Sequence, residues 1–217
     1  TISAMAHPFR LKRRLPAMRD SAGEAAHVPL TRLAHETLKN RILPGDLAVD
    51  ATAGNGHDTL FLAQAVGRQG QVYALDVQEA ALRATEQRLE AAGLLERATL
   101  IQGGHEHWAR LLPPNLRGQI AVVMFNLGYL PGSDKSLSTQ ADTTVQALVE
   151  AAEWLRPGGL LSVLVYLGHA QGPREASAVA GWLTELESRG HGWRVATHEV
   201  PGKPEAPRWH LVTAPGD

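Results

Sequence analysis

The 217-residue chain contains no cysteine, which excludes a disulfide framework and thiolate chemistry and fits a reducing, cytoplasmic setting. It also has no apolar run near the ~20 residues that span a bilayer, so a soluble protein with no membrane partner is expected. Net charge is nearly absent: 21 Lys and Arg against 22 Asp and Glu leave a formal −1. No global field therefore draws the chain to nucleic acid, and any RNA contact has to come from a local patch. No repeat period is present. A chain of this length buries most of the surface needed for one core without a metal or disulfide staple, so one domain, with or without an extension, is expected.

Acids are scarce at the start. Residues 1–25 hold Arg10, Lys12, Arg13, Arg14 and Arg19 against only Asp20 and Glu24, and Pro8 and Pro16 interrupt helical continuation. The segment is Arg-rich like a transit peptide but lacks a clear amphipathic helix. Its composition reads as a flexible, solvated extension over 1–25, ahead of a domain over 26–217. A basic arm that meets phosphates is the alternative reading, and Met5 or Met18 is an alternative natural start.

The stretch that organises the rest runs from Leu47-Ala48-Val49-Asp50 through Ala51-Thr52-Ala53-Gly54-Asn55-Gly56 to His57-Asp58-Thr59. An apolar run ends in an acid, turns through two glycines and enters a helix, as a parallel strand does when it hands over to a nucleotide-binding loop. Gly54 and Gly56 leave room for a ligand at the backbone, and either can take a positive φ. The helix that follows offers free N–H groups at its first turn. A dinucleotide fingerprint has a third glycine where Thr59 stands, and no phosphate-binding lysine is nearby. The pattern is acid-x-x-x-G-x-G instead. Asp50 is placed to receive a cationic amino group, which suits an amino-acid-bearing nucleoside better than a pyrophosphate.

Strands then alternate with helices. A helix starts at Leu30, with Leu33, Thr37 and Leu38 on one face, and Pro44-Gly45 stops it. The helix over His57 to about Val66 supplies Leu60, Phe61 and Leu62 to the core. Gln71–Asp76 reads as the second strand, ending in an acid 20 residues after Gly56. Gln78–Ala92 is a strong helix closed by Gly93, and Ala98–Gln102 is a third strand leading into Gly103-Gly104-His105-Glu106-His107. Ile120–Phe125 is a continuous apolar run, as in a strand buried on both faces. It stops at Asn126-Leu127-Gly128-Tyr129-Leu130-Pro131-Gly132-Ser133-Asp134-Lys135. A helix over about Thr139–Leu155 ends at Pro157-Gly158-Gly159, Leu160–Tyr166 is the fifth strand, and Glu175–Ser188 is the last long helix. Segments 192–200 and 207–214 read as a closing hairpin. The expected architecture is α/β: a seven-stranded, mostly parallel sheet with an antiparallel edge hairpin and helices on both faces. Ligands bind such sheets beyond the carboxyl ends of the strands, and every unusual loop lies at such an end.

The acid-x-x-x-G-x-G loop in this setting resembles the Rossmann-like class I S-adenosylmethionine-dependent methyltransferases. More narrowly, Asp50–Thr59, Asn126–Gly132 and Tyr166-Leu167-Gly168-His169 resemble the rRNA methylase family, from about residue 27 to the C-terminus. Two stretches depart from that pattern: the basic extension, and the Val200–Pro207 turn, which lacks an asparagine-rich stretch. The resemblance implies a methyltransferase that takes S-adenosyl-L-methionine and releases S-adenosyl-L-homocysteine. It implies an RNA substrate, with tRNA favoured and the reaction N-methylation of a 5-aminomethyl(-2-thio)uridine at the wobble position; rRNA or a small molecule is the alternative. A non-catalytic module or a nicotinamide enzyme fits the loops less well, and the sequence leaves a homodimer open.

On the same resemblance the cofactor residues are Asp50, Gly54, Asn55, Gly56, Asp58, Thr59, Asp76, Gln78, Gly104, His105, Asn126 and Gly128. Asp76 can accept from both ribose hydroxyls or act as a helix N-cap, and Gln78 lies toward the adenine. Asp58 shapes the methionine end or only complements the helix dipole. His105 and His107 form an H-x-H pair with no third ligand at a diagnostic spacing, so no metal is expected; Gly104 and His105 line the adenine end instead. The catalytic candidates are Asn126, Tyr129, Asp134 and His169. Asn126–Tyr129 sits beside the transferred methyl, where in-line approach is the main demand. Tyr129 stacks on a base or packs on the next helix. Asp134 and His169 are the two groups for taking the amine proton, histidine being the residue type that titrates near neutrality. Lys135, Arg156 and Arg174 meet phosphates or are simply solvated.

Overall fold

The structure is a computed structural model that describes residues 28–128 and 139–216. The 1–25 extension and the sequence candidates Tyr129, Asp134 and Lys135 lie outside the described residues. Among the described residues, seven strands and six α-helices run in the order α1 (Leu30–Lys39), β1 (Leu47–Asp50), α2 (His57–Ala65), β2 (Gln71–Asp76), α3 (Glu79–Ala91), β3 (Ala98–Gln102), α4 (Trp108–Leu111), β4 (Ile120–Leu127), α5 (Ala141–Trp154), β5 (Leu155–Val165), α6 (Gly172–Ser188), β6 (Arg194–His198) and β7 (Arg208–Thr213). The strand order is β3-β2-β1-β4-β5-β7-β6.

Strands β1 to β5 pair in parallel, while β7 pairs antiparallel with both β5 and β6. The closing hairpin is therefore present, but its reversed member β7 is the inner strand. The edge strand β6 runs in the same direction as β5. Chain direction across the sheet switches sides between β1 and β4, which opens a crevice at their carboxyl ends.

Both faces are covered. Val49, Val123, Leu161 and Val163 pack with Trp108, Leu148, Trp154 and Trp182 of α4 to α6. Ala48, Val122, Met124 and Leu164 pack with Leu38, Leu62 and Leu89 of α1 to α3. Alternation of side chains along a strand assigns neighbours to opposite faces, which is why the buried strands read as continuous apolar runs. Helix α1 buries Leu30, Ala34 and Leu38, a stripe one step round from the expected Leu33–Thr37–Leu38 face. In α2 the buried residues are Asp58, Thr59, Leu62 and Ala63. Leu60 and Phe61, expected in the core, are only partly buried, which leaves the Phe61 ring available to α1.

Strand β5 begins at Leu155, five residues before the expected Leu160, and runs through Pro157-Gly158-Gly159. The register against β4 shifts between Ile120 and Val122, and Gly158 takes φ 69°. The Pro-Gly-Gly run is thus a bulge held by a Gly158 N–H bond to the Pro215 carbonyl at 2.8 Å, not a turn. Just before it, Arg156 grips Asp46 with both guanidinium nitrogens, at 2.5 and 3.0 Å. Asp46 is 7% exposed and also accepts the Leu43 N–H. Arg156 is therefore a fold residue at the end of the sheet away from the crevice, not a phosphate contact. Asp46→Ala is expected to lower unfolding free energy by about 2 kcal/mol, as removal of a charged hydrogen-bond partner does, with ligand binding unchanged. Chemical denaturation beside a binding titration checks both halves.

Candidate active site

The first loop closes on itself and on its neighbours. Ala51 N–H bonds the Met124 carbonyl, Ala53 N–H the Leu75 carbonyl, and Gly56 N–H the Ala53 carbonyl, at 2.8–2.9 Å. Gly54 and Gly56 take φ 53° and 76°, so both glycines adopt the left-handed conformation that other residues avoid. A Cβ on Gly56 would also stand 2.7 Å from the Thr85 Cα, so this turn lies against α3 as closely as a backbone can. The Asn55 carbonyl accepts from Arg88 Nε at 2.6 Å. Asp76, at the end of β2, accepts the Gly54 N–H at Oδ2 and the Gln78 N–H at Oδ1, both at 2.9 Å. Helix α3 has no side-chain cap bond, so Asp76 does not serve as its N-cap. It ties the glycine loop to β2 instead, and half of its acceptor capacity remains.

These groups form one end of a cavity of about 1110 Å³ that opens where β1, β2, β4 and β5 finish. Of the candidates within the described residues, Gly54, Asn55, Asp58, Asp76, Gln78, Gly104, His105, Asn126, Gly128 and His169 all line it. Asp50, Gly56 and Thr59 do not. Asp50 is fully buried under the loop and accepts from the Thr59 hydroxyl at 2.6 Å and the Thr52 N–H at 3.2 Å. Burial first, then the Asp58 charge, push its carboxyl up to about 7 against these two bonds. The acid beside it that reaches the cavity is Asp58. The expectation that Asp50 itself meets an amino group is replaced by a two-layer arrangement, a loop-holding acid beneath and a ligand-facing acid above.

The pH consequence has a definite sign. An acid whose folded pKa is raised from 3.8 to about 7 keeps its proton in the native state while the unfolded chain loses it. Stability from this group therefore falls as pH rises from about 4 to about 7, and is level beyond. Buried His105 and His210 are shifted down and tilt the curve the other way, so a difference isolates Asp50. Asp50→Asn is expected to gain on the parent between pH 4 and 7, and to match it below, in paired thermal melts across that range. Parallel curves would remove the buried-proton assignment.

At the far end of the cavity, Asp58 is 6% exposed and both its oxygens are engaged. His35 Nε2 lies 2.6 Å from Oδ1, and the Asn126 Nδ2 donates to Oδ2 at 2.5 Å. The Asn126 backbone N–H in turn bonds the Thr52 hydroxyl at 2.8 Å, which fixes the end of β4 against the first loop. Tyr166, 37% exposed at the end of β5, lines the same end. Burial and, secondarily, the Asp58 charge raise its phenol, so it stays a hydrogen-bond donor. His35 is stacked flat on Phe61, centroids 4.1 Å apart and planes within 4°.

At the other end, His105 is 9% exposed and its Nε2 is buried without a hydrogen-bond partner. Burial lowers its pKa, so the His105 ring that lines the cavity is neutral. Val77, apolar yet 57% exposed, lines the cavity directly after Asp76. Among the described residues no three His, Asp or Glu side chains come together as a metal cage. Arg174 pairs with Asp142 at 3.5 Å on the surface.

The sequence reading missed His35, Val77, Thr139 and Tyr166 as lining residues. Val77 carried a signal, since an apolar residue just past a strand-end acid has no core to enter. Tyr166 sat inside a motif already noted. His35 and Thr139 carried none, because helix α1 and the start of α5 reach the crevice only through the tertiary fold. Thr139 donates to Glu175 Oε2 at 2.8 Å and its N–H bonds the Gly128 carbonyl at 2.9 Å. Glu175 is fully buried and also accepts from Thr144 at 2.6 Å.

The site's composition matches what a methionine-bearing nucleoside asks for. A strand-end carboxylate with spare acceptor capacity suits a ribose, a neutral imidazole ring beside an exposed valine suits a purine, and a carboxylate floor suits an ammonium or sulfonium charge.

Comparison with known proteins agrees. The family model described as "Putative rRNA methylase" matches residues 72–213. A protein of Arabidopsis thaliana named tRNA (mnm(5)s(2)U34)-methyltransferase, chloroplastic, is 38% identical over 185 residues, covering 82% of this chain and 66% of the relative. This chain thus spans just under two thirds of that relative's length. The structure of a "putative rRNA-methylase" from Clostridium thermocellum superposes with TM-score 0.78 and 35% identity, covering 84% of this chain and 96% of the other. A "putative methyltransferase" from Streptococcus mutans in complex with SAH gives TM-score 0.74 and 32% identity, with coverage of 86% and 98%. The chain has the class I methyltransferase fold and belongs to the rRNA methylase family.

Proposed function

We propose that the protein is an S-adenosylmethionine-dependent methyltransferase that methylates the nitrogen of a 5-aminomethyl(-2-thio)uridine at the tRNA wobble position. The observation that carries this reading is one continuous cavity with two chemically distinct ends. Asp76, Val77 and His105 suit a nucleoside, while Asp58, Asn126 and Tyr166 suit a nitrogen-bearing reactant. The 38% identity to the plant tRNA methyltransferase supports the choice of RNA and of nucleotide. On this reading the enzyme works in the cytoplasm, alongside tRNA.

S-adenosylmethionine, when bound, supplies a methyl group on a positively charged sulfur. The protein's own work is binding and alignment, the main source of rate where no covalent step involves the chain. Asp76 and the Gly54 turn hold the sugar end, and the neutral His105 ring lines the base end. Asn126 presents its carboxamide oxygen to an N–H of the amine, because its NH₂ is committed to Asp58. The amine lone pair forms the new N–C bond, the C–S bonding pair stays on sulfur, and the surplus proton leaves the nitrogen. His169, in the cavity wall, is a candidate to receive it.

Two measurements test the reading. Calorimetry should show S-adenosylmethionine binding and no tight NAD binding; the reverse result overturns the cofactor. Mass spectrometry of nucleosides from tRNA and rRNA of a deletion strain should show methylaminomethyl uridine lost and its aminomethyl precursor accumulated. Unchanged methylaminomethyl uridine ends the tRNA reading, and a lost rRNA methyl mark would replace it.

A further inference from the structure

Asp58 is held more tightly than a ligand-facing carboxylate needs to be. One oxygen meets His35 Nε2 at 2.6 Å and the other takes the Asn126 NH₂ group. His35 is itself immobilised by its flat stack on Phe61. The three side chains come from α1, α2 and the end of β4, and all three line the cavity. A carboxylate only accepts, so it assigns the Asn126 amide: nitrogen toward Asp58, oxygen away from it. A rotation of Asp58 would release that assignment, and His35 is the group that prevents rotation.

We propose that His35 is a positioning residue for methyl transfer: by holding Asp58, it fixes the Asn126 carboxamide with its oxygen toward the substrate nitrogen. The proposal rests on the amine-methylation reading for its chemistry, but its wiring can be read without substrate. A neutral amine has two N–H bonds and one lone pair, so accepting one N–H sets where the lone pair points. His35 acts through Asp58. Its effect belongs in turnover, not in cofactor affinity.

The test uses the full chain labelled with ¹⁵N-asparagine, the Asn126 side-chain amide being identified by its loss in Asn126→Ala. In the parent protein that amide should be shifted downfield and protected from exchange. His35→Phe keeps a ring on Phe61 but has no N–H, and the signature should be lost; His35→Gln restores a donor and should recover it. In assays on tRNA carrying the aminomethyl group, His35→Phe should lower kcat about tenfold, a modest misalignment on the scale of positioning effects. KM for tRNA and Kd for S-adenosylmethionine should stay within about threefold, and His35→Gln should recover most of the rate. Should His35→Phe fail to fold, His35→Leu, which also removes the ring N–H from Asp58, is read the same way. An unchanged amide in His35→Phe, or equal losses in the Phe and Gln variants, overturns the proposal, as does cofactor affinity falling as far as kcat. A parent protein with the amide signature but no activity on tRNA would instead overturn the function and leave the wiring standing.

Discussion

Asp76→Ala is expected to weaken S-adenosylmethionine binding by at least about 100-fold while shifting thermal unfolding by only a few degrees. Asp76 acts in two ways. Its carboxylate holds the Gly54 and Gln78 N–H groups, each at 2.9 Å, and so shapes the turn on which a nucleoside would rest. The same two oxygens keep unused acceptor positions at the cavity wall, where ribose hydroxyls are the fitting partners. Hydrogen bonds to a charged group are worth about 1.5–3 kcal/mol each. Two of them lost from the bound state alone amount to about two to four decades of affinity at 1.4 kcal/mol per decade. In the free protein the cost is smaller, because the cavity is open to water, which takes over the two exposed amides. Asp76→Asn separates the two roles: its remaining carbonyl oxygen keeps one amide in place but offers fewer acceptors, so its affinity should fall between parent and alanine. Calorimetry on the three proteins decides it, and an alanine variant that binds within about threefold of the parent would remove the ribose assignment.

The two acids show how far local sequence can be read. Asp50 and Asp76 both end parallel strands beside the glycine loop, and the spacing marks both. What spacing does not carry is depth. Asp50 goes under the loop because β1 is central, flanked by β2 and β4, and the loop folds back over its end through the Ala51 and Ala53 N–H bonds. Asp76 stays at the wall because its strand is one place further out and the loop passes beside it. The same loss of depth information explains α2. Its sequence says helix, but which side chains face the sheet depends on the angle at which the glycine turn launches it. Asp58 therefore became buried and Phe61 half-buried, the reverse of a hydrophobicity ranking.

Long-range partners are a second limit. His35 precedes Asp58 by 23 residues and Asn126 follows it by 68. Nothing in an amphipathic helix such as α1 distinguishes a histidine on its cavity edge from one in solvent. Turn signals have a third weakness. Pro157-Gly158-Gly159 carries every residue type expected of a break, yet pairing with β4 and a backbone bond to Pro215 make it a bulge within β5. Where the signals were local and repeated, as in Gln71–Asp76 and Ala98–Gln102, sequence and structure agree to the residue.

Asn126 is where the largest loss of turnover is expected. Asn126→Ala should lower kcat by about 100-fold, the scale of misplacing a reacting group by an ångström, with cofactor affinity changed less than about fivefold. Asn126→Asp is the sharper test because it replaces the amide NH₂ with a second acid within hydrogen-bonding distance of Asp58. Two carboxylates that close cannot both ionise, so they share a proton. With the shared proton in place, the hydroxyl of the introduced acid can donate to Asp58 as the amide did, leaving a carbonyl oxygen toward the cavity. Once that proton is lost, the pair repels and the acceptor is misdirected. The parent enzyme should gain rate with rising pH, since only the neutral amine has a lone pair to give. The Asn126→Asp variant should carry an added falling limb at higher pH, on top of the contributions of Asp50 and Tyr166, which feel the Asp58 charge and are present in both proteins. A ratio of the two kcat–pH profiles cancels those shared contributions. If that ratio is flat across the pH range, Asn126 does not present its oxygen to the nucleophile through Asp58, and the cavity's second end has another purpose.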